Sequence, residues 1–121
     1  MSRVVHFEIV ADKPERAIAF YEKTFGWKFA RWDGPMPYWM ITTGADGVPG
    51  INGGLAPRSP ESMVSNTIGV TNLDASAAAV EKNGGKVVAP KMPIPGIGWL
   101  AYFADTEGTP FGLMQFDPNA K

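Results

Sequence analysis

The chain of 121 residues contains no cysteine and only one histidine, His6. Without cysteine it can form no disulfide framework, no thiolate zinc site and no cysteine nucleophile. Its formal net charge at pH 7 is -1, and such a balance does not favour a nucleic acid or an anionic membrane as the partner. No apolar run is long enough to cross a bilayer, and the first residues lack an apolar signal core, so the sequence predicts a cytoplasmic protein.

The residues that are present fit one globular domain. Hydrophobic residues make up 45% of the chain and charged residues 19%, which allows a sizeable core without covalent cross-links. The 14 glycines and 11 prolines are spread among turns rather than pooled in one segment. This distribution indicates many short connections and not disorder.

A strand, a helix, a glycine and a further strand follow one another in residues 4–29, and a fainter copy of this plan begins near Ser65. The strand-like segments are residues 4–10, 27–32, 38–43, 48–55, 65–70, 86–89, 98–103 and 111–116. Residues 56–60 are a polar, proline-containing connector between the two copies. Each copy therefore has the order β-α-β-β-β, and this pattern predicts the α+β class rather than a doubly wound parallel sheet.

Both predicted helices have recognisable ends. Asp12 and Glu15 form an Asp-x-x-Glu capping box for the first helix, and Pro14 lies in its first turn. Gly26 is a natural stop after this helix. Asn72 is the predicted cap of the second helix.

The first strand has two different faces. Phe7 and Ile9 lie on one face, and His6 and Glu8 lie on the other, because side chains alternate along a strand. Phe7 and Ile9 are expected to cover the apolar stripe of the first helix. His6 and Glu8 must then point away from that helix.

Four features in this order and spacing resemble the vicinal oxygen chelate superfamily, which includes glyoxalase I, bleomycin-resistance proteins and extradiol dioxygenases. They are His6 in the first strand, FYEKTFGW at 20–27, NLDASAAAVEKNGG at 72–85 and DTEGTPFGL at 105–113. The resemblance implies one domain over residues 1–121, built from βαβββ modules at about 1–56 and 64–118. It also implies an eight-stranded open, barrel-like sheet around a cleft, with the helices outside, and a homodimer.

The same resemblance implies a metal site with one ligand from the first strand and one from the fourth strand of each module. His6 matches the first ligand position. Residues 49–54 contain no carboxylate, and Ser65 and Gly112 stand at the other two positions. Because zinc, nickel and iron sites need three or four protein donors, one surviving ligand predicts that the chain holds no metal and no other cofactor.

Two sets of residues are candidates for the functional site. His6 and Glu8 are the tentative catalytic pair, since an imidazole and a carboxylate can remove a proton next to a carbonyl without a metal. Alternatively, Glu8 only anchors His6. The predicted ligand-binding residues are Trp39, Asn52, Thr67, Trp99, Tyr102 and Gln115. By strand alternation, at least half of the aromatic set Tyr38, Trp39, Trp99 and Tyr102 must be structural instead.

Two functions remain open at this point. The first is binding of a small molecule, or metal-independent chemistry on it, in the implied cleft. The alternative is a metal-dependent lyase, isomerase or dioxygenase of the vicinal oxygen chelate type. Residues 93–98, PIPGIG, are either a cap over the cleft or a plain turn.

Overall fold

The computed structural model describes residues 2–60 and 62–121, and its two helices and eight strands follow the predicted order βαβββ twice. The α+β class is therefore confirmed. The elements are β1 Arg3–Ala11, α1 Pro14–Phe25, β2 Lys28–Arg31, β3 Trp39–Thr42, β4 Gly53–Pro57, β5 Ser65–Gly69, α2 Leu73–Lys82, β6 Lys86–Ile94, β7 Gly98–Ala104 and β8 Pro110–Phe116. Neither helix in the described residues is long and apolar enough to span a membrane.

The chain divides into two compact units. One is His6–Val64, and the other is Ser65–Lys121 together with the N-terminal residues through Val5. In the His6–Val64 unit the strand order is β2-β3-β4-β1, and in the Ser65–Lys121 unit it is β5-β8-β7-β6. Each unit combines one parallel pair with antiparallel pairs, so a single helix can cover one face of each group of four strands.

In the His6–Val64 unit the core lies between α1 and the strands. Phe7 and Ile9 pack against the buried side chains of Ile41 and Leu55, on the same side as Ile18 of α1. The predicted orientation of β1 is thus confirmed. Since alternate side chains point to opposite faces, His6 and Glu8 leave the strand on the side away from α1.

Helix α1 ends as predicted but begins differently. Gly26 adopts the left-handed conformation, with φ of 74°, and its N–H donates to the carbonyl of Glu22. The predicted Asp12–Glu15 capping box is wrong, because the N-cap residue is Lys13 and no side chain caps the helix. The Asp12 carboxylate instead accepts a hydrogen bond from Nε of Arg58 at 3.0 Å, which engages it outside the helix.

In the Ser65–Lys121 unit, Phe103 and Leu113 form the centre of a buried cluster beneath α2. Asn72 caps α2 as predicted, since its Oδ1 accepts from the N–H of Ala75 at 3.0 Å. The cap satisfies one of the free N–H groups at the start of the helix.

Two predicted strands have different bounds in the structure. The strand predicted at 48–55 begins only at Gly53, because Gly47 and Gly50 have positive φ and hold the preceding segment in turns. Strand β6 continues to Ile94 through two irregularities in its pairing, well past the predicted end at residue 89. Residues 93–98 therefore form the end of β6, a tight turn and the start of β7, and the N–H of Ile97 donates to the Ile94 carbonyl.

Candidate functional site

The side chains of His6, Glu8 and Tyr38 meet on the face of the His6–Val64 unit that points away from α1. The Tyr38 hydroxyl donates to Oε2 of Glu8 at 3.2 Å and lies 2.9 Å from Nε2 of His6. All three residues are half-buried. We call this group the His6–Tyr38–Glu8 triplet.

The hydrogen bonds of the triplet favour one placement of its protons. A phenol has one proton, and Tyr38 gives it to Glu8. At 2.9 Å the contact between Tyr38 and His6 is a hydrogen bond only if Nε2 of His6 carries the proton and donates it to the phenol oxygen. In the neutral ring the lone pair is then on Nδ1, which is the nitrogen able to accept a proton from a ligand.

Two opposing effects act on the pKa of His6. Burial is the larger one and lowers this pKa below its ordinary value, because burial disfavours the charged imidazolium. The nearby Glu8 carboxylate raises it and offsets part of that effect. Because the net direction is downward, the imidazole is neutral at pH 7, which is the form that can act as a base.

Replacing Glu8 by glutamine is expected to lower the pKa of His6 further. The substitution removes the negative charge that raises this pKa and leaves burial, which lowers it, in place. The measurement is an NMR pH titration of the imidazole, whose signals are unambiguous because His6 is the only histidine. Glu15→Gln on the exposed side of α1 is the control and should leave the titration unchanged; a pKa of His6 that stays constant in Glu8→Gln would contradict the coupling.

A further aromatic side chain, Trp32, lies beside the triplet. The Trp32 ring meets the Tyr38 ring edge-on, with 6.2 Å between the centroids and 80° between the planes. The Arg31 guanidinium donates to the carbonyl of Trp32 and holds the start of this connection between β2 and β3. The sequence did not single out Trp32, and it indicated Tyr38 only as one of four aromatic residues that could line a cleft.

The other predicted residues of this unit lie elsewhere. Trp39 pairs in register with Leu55 and packs on the α1 side, where the Arg31 guanidinium lies 5.3 Å from its ring centroid. Asn52 precedes β4, and its Oδ1 accepts from the N–H of Thr43 at 2.9 Å. Both residues have structural contacts that account for their positions.

In the Ser65–Lys121 unit, two predicted residues share the face away from α2. Thr67 pairs in register with Gly112, and Gly112 pairs with Tyr102, so the Thr67 and Tyr102 side chains flank the glycine. Thr67 is only 3% exposed. The Thr67 hydroxyl and the Tyr102 ring therefore lie on either side of Gly112 on this face.

Trp99 and Gln115, both predicted to bind the ligand, lie on the α2 side. They are register partners on β7 and β8. Oε1 of Gln115 accepts from the N–H of Leu73 at 2.9 Å, and Nε1 of Trp99 donates to Asp117 at 3.1 Å. Both side chains support the start of α2 or the end of β8.

The donor groups of the chain fit a transition metal poorly. In residues 2–60 and 62–121, no three side chains of His, Cys, Asp or Glu come together. His6 and Glu8 supply two donors, and the third neighbour is the neutral Tyr38 hydroxyl, whereas a zinc, nickel or iron site needs three or four donors. The absence of a bound transition metal stays a prediction.

Among the surface hollows formed by the described residues, two lie in the His6–Val64 unit, and neither is lined by a member of the triplet. One, of about 420 Å³, lies at the start of α1 beside the exposed Asp12–Arg58 ion pair. The other, of about 190 Å³, lies within the turns between Thr43 and Asn52. Charged side chains line the first hollow, among them Lys13 and Arg16.

Known structures with this fold were found over nearly the whole chain. A methylmalonyl-CoA epimerase in complex with methylmalonyl-CoA and NH4+ superposes with a TM-score of 0.73 and 17% identity, over 100% of this chain and 99% of that one. A hypothetical protein of Bacillus halodurans C-125 superposes with a TM-score of 0.75 and 16% identity, over 99% and 98% of the two chains. At these identities the likeness shows the fold alone.

Sequence relatives identify the family. The family described as bleomycin resistance protein-like N-terminal matches residues 3–44. The protein CFP32 of Mycobacterium bovis is 29% identical over 113 residues, and the chain spans 43% of its length. A glyoxylase-like domain-containing protein of Didymella fabae is 38% identical over 107 residues, which are 84% of each protein. The chain therefore belongs to the glyoxylase-like proteins of the vicinal oxygen chelate superfamily, as its sequence pattern predicted.

Proposed function

We propose that this protein binds a small molecule through the His6–Tyr38–Glu8 triplet and acts on it without a bound transition metal. The observation that carries the proposal is the Tyr38 hydroxyl, which bridges an imidazole at 2.9 Å and a carboxylate at 3.2 Å. The Tyr38 hydroxyl links the His6 imidazole to the Glu8 carboxylate. With Nε2 engaged in this link, Nδ1 of the neutral imidazole is the proton acceptor. The family fold and the half-burial of the three side chains support the assignment.

The triplet suits removal of a proton next to a carbonyl. When Nδ1 of His6 accepts a proton from carbon, the ring becomes an imidazolium and Nε2–H donates more strongly to Tyr38. The phenol in turn donates to the Glu8 carboxylate, so the new positive charge is stabilised through a chain of hydrogen bonds. The electron pair of the broken C–H bond passes to the carbonyl oxygen of the ligand, and returning the proton reverses the step.

The chemistry of the triplet also limits the ligand class. A carboxylate beside the base disfavours a ligand that places negative charge at the triplet itself, so the reacting end should be neutral, such as a ketone, ester or thioester. Structural neighbours hold methylmalonyl-CoA and 2-nitronate-propionyl-CoA, which are acyl thioesters whose acyl end carries an additional anionic group. The Glu8 carboxylate favours thioesters without that group for this protein. Acyl thioesters and small ketones are therefore the first compounds to test.

The proposal predicts that Tyr38→Phe weakens ligand binding without loss of the fold. Screening acyl thioesters and small ketones by thermal shift, followed by calorimetry on the compounds that bind, should show about a fivefold to tenfold loss of affinity. Without the phenol the His6 ring is no longer held in the orientation that meets the ligand, and the hydrogen bond that held it contributes about 1 kcal/mol. His6→Ala should lose at least as much. Tyr21→Phe is the matched control, since Tyr21 stacks on Trp27 at the surface of α1 and lies outside the triplet.

Two results would overturn the proposal. The first is binding that is unchanged in both His6→Ala and Tyr38→Phe, which would remove the triplet from the site. The second is close to one zinc, nickel or iron per chain in metal analysis, lost on His6→Ala; it would favour the metal-dependent lyase, isomerase or dioxygenase.

A further inference from the structure

We infer that Gly54 is a positioning residue of this site, because only a residue without a side chain at this position admits the Tyr38 hydroxyl between His6 and Glu8. The inference rests on the role that we propose for the triplet. It adds a fourth residue, which does not touch the ligand and acts through Tyr38.

The strand register places Gly54 at the centre of the site. On one side Gly54 pairs with Glu8 of β1, and on the other it pairs with Met40 of β3. A side chain at position 54 would therefore leave β4 on the same face as Glu8, away from α1. Tyr38 precedes β3 by one residue and has to extend across this position to reach Glu8 and His6.

The phenol of Tyr38 fills the space of the missing side chain. A Cβ atom added to Gly54 would overlap Oη and Cζ of Tyr38 and would lie 2.6 Å from Cε1. The overlap involves the end of the ring that makes both hydrogen bonds. A methyl group at position 54 therefore cannot coexist with the bridge between His6 and Glu8.

Space, and not backbone conformation, is what requires glycine here. Gly54 is not one of the glycines with positive φ, so any residue could adopt its backbone conformation. The residue is buried within β4, and its two neighbours in the register hold it in place. The effect of a substitution should accordingly fall on Tyr38 rather than on the path of the strand.

The other unit provides a matched control. Gly112 of β8 pairs with Thr67 of β5 in a parallel register, as Gly54 of β4 pairs with Glu8 of β1. A Cβ atom at Gly112 would lie 3.3 Å from Oγ1 of Thr67 and 3.4 Å from Cε1 of Tyr102, so small shifts can accommodate it. Gly112→Ala adds the same methyl group to a strand of the same kind without displacing a ring.

The test is the NMR spectrum of the single imidazole in Gly54→Ala, Gly112→Ala and Tyr38→Phe. In the wild type and in Gly112→Ala, the ¹⁵N shifts of His6 should show one dominant tautomer, protonated at Nε2. In Gly54→Ala and in Tyr38→Phe, the signals should move to a mixture of tautomers, because the phenol oxygen no longer accepts from Nε2. Gly54→Ala should also reduce ligand affinity about fivefold to tenfold, as Tyr38→Phe does.

A folded Gly54→Ala protein with the wild-type tautomer and pH titration of His6 would overturn the inference. If this variant does not fold, the pair Tyr38→Ala and Tyr38→Ala/Gly54→Ala decides the question. Without the Tyr38 ring, the methyl group added at position 54 should leave the midpoint of denaturant unfolding as it is in Tyr38→Ala. A much lower midpoint in the double variant would contradict the inference. Since the tautomer is measured without ligand, a failure of the proposed function would appear separately, as absent binding beside a normal triplet.

Discussion

Replacing Phe103 by alanine is expected to lower the free energy of unfolding by about 3–5 kcal/mol, the usual cost of removing a buried phenyl ring. Phe103 is only 1% exposed and stands among Leu73, Leu113 and Val70 beneath α2. Its ring also stacks on Phe111, with 5.7 Å between centroids. Urea denaturation followed by tryptophan fluorescence measures the change.

Phe116→Ala is the control for this prediction. Phe116 lies on the neighbouring strand β8 but is 61% exposed, so its truncation should change the free energy of unfolding by about 0.5 kcal/mol or less. Equal losses in the two variants would mean that the cluster beneath α2 does not hold this unit together.

Gly53→Ala is expected to destabilise the protein by roughly 2–4 kcal/mol, because the new methyl group meets atoms that cannot move aside cheaply. A Cβ atom at Gly53 would lie 2.5 Å from the carbonyl oxygen of Phe7 and 2.7 Å from the Phe7 ring. Gly53 and Phe7 are register partners, so β4 would have to separate from β1 next to His6 and Glu8. Chemical denaturation gives the loss, and the ¹⁵N shifts of His6 should move with it.

Gly44→Ala separates this steric effect from the general effect of replacing a glycine. A Cβ atom at Gly44 would meet nothing within 4 Å, and the residue does not have a positive φ. The variant should be neutral or slightly stabilising, because alanine restricts the unfolded chain. If Gly44→Ala lowered the free energy of unfolding as much as Gly53→Ala does, the close approach of β1 and β4 would not explain the effect at Gly53.

Part of the candidate site follows from the pattern of the chain. Phe7 and Ile9 had to cover α1, and strand alternation then sends His6 and Glu8 to the other face, where the structure has them. The same reasoning locates the cap at Asn72 and the helix end at Gly26. These features depend on neighbours within a few residues, so they are visible in the sequence.

Other features depend on competition between contacts. Asp12 has the residue type of a helix cap, yet its carboxylate accepts a hydrogen bond from Arg58, which lies 46 positions further along the chain. Trp99 and Gln115 have residue types that suit a ligand, but their position in the β7–β8 register turns them towards α2. When polar and aromatic residues occur on both faces of a short strand, its hydropathy pattern does not decide which face packs against the helix.

Local patterns encode the family, the order of the elements and the face of β1 that points away from α1. These patterns are hydrophobic periodicity, capping residues and the spacing of glycines. The bridge of Tyr38 between His6 and Glu8 is not encoded in this way, because it joins residues 30 and 32 positions apart and needs three strands in one register. It also needs an empty position at Gly54, which can be recognised as empty only when the ring that fills it is known. Contacts between segments that are far apart in the sequence therefore decide the geometry of the site. Local sequence patterns decide only which residues are available for it.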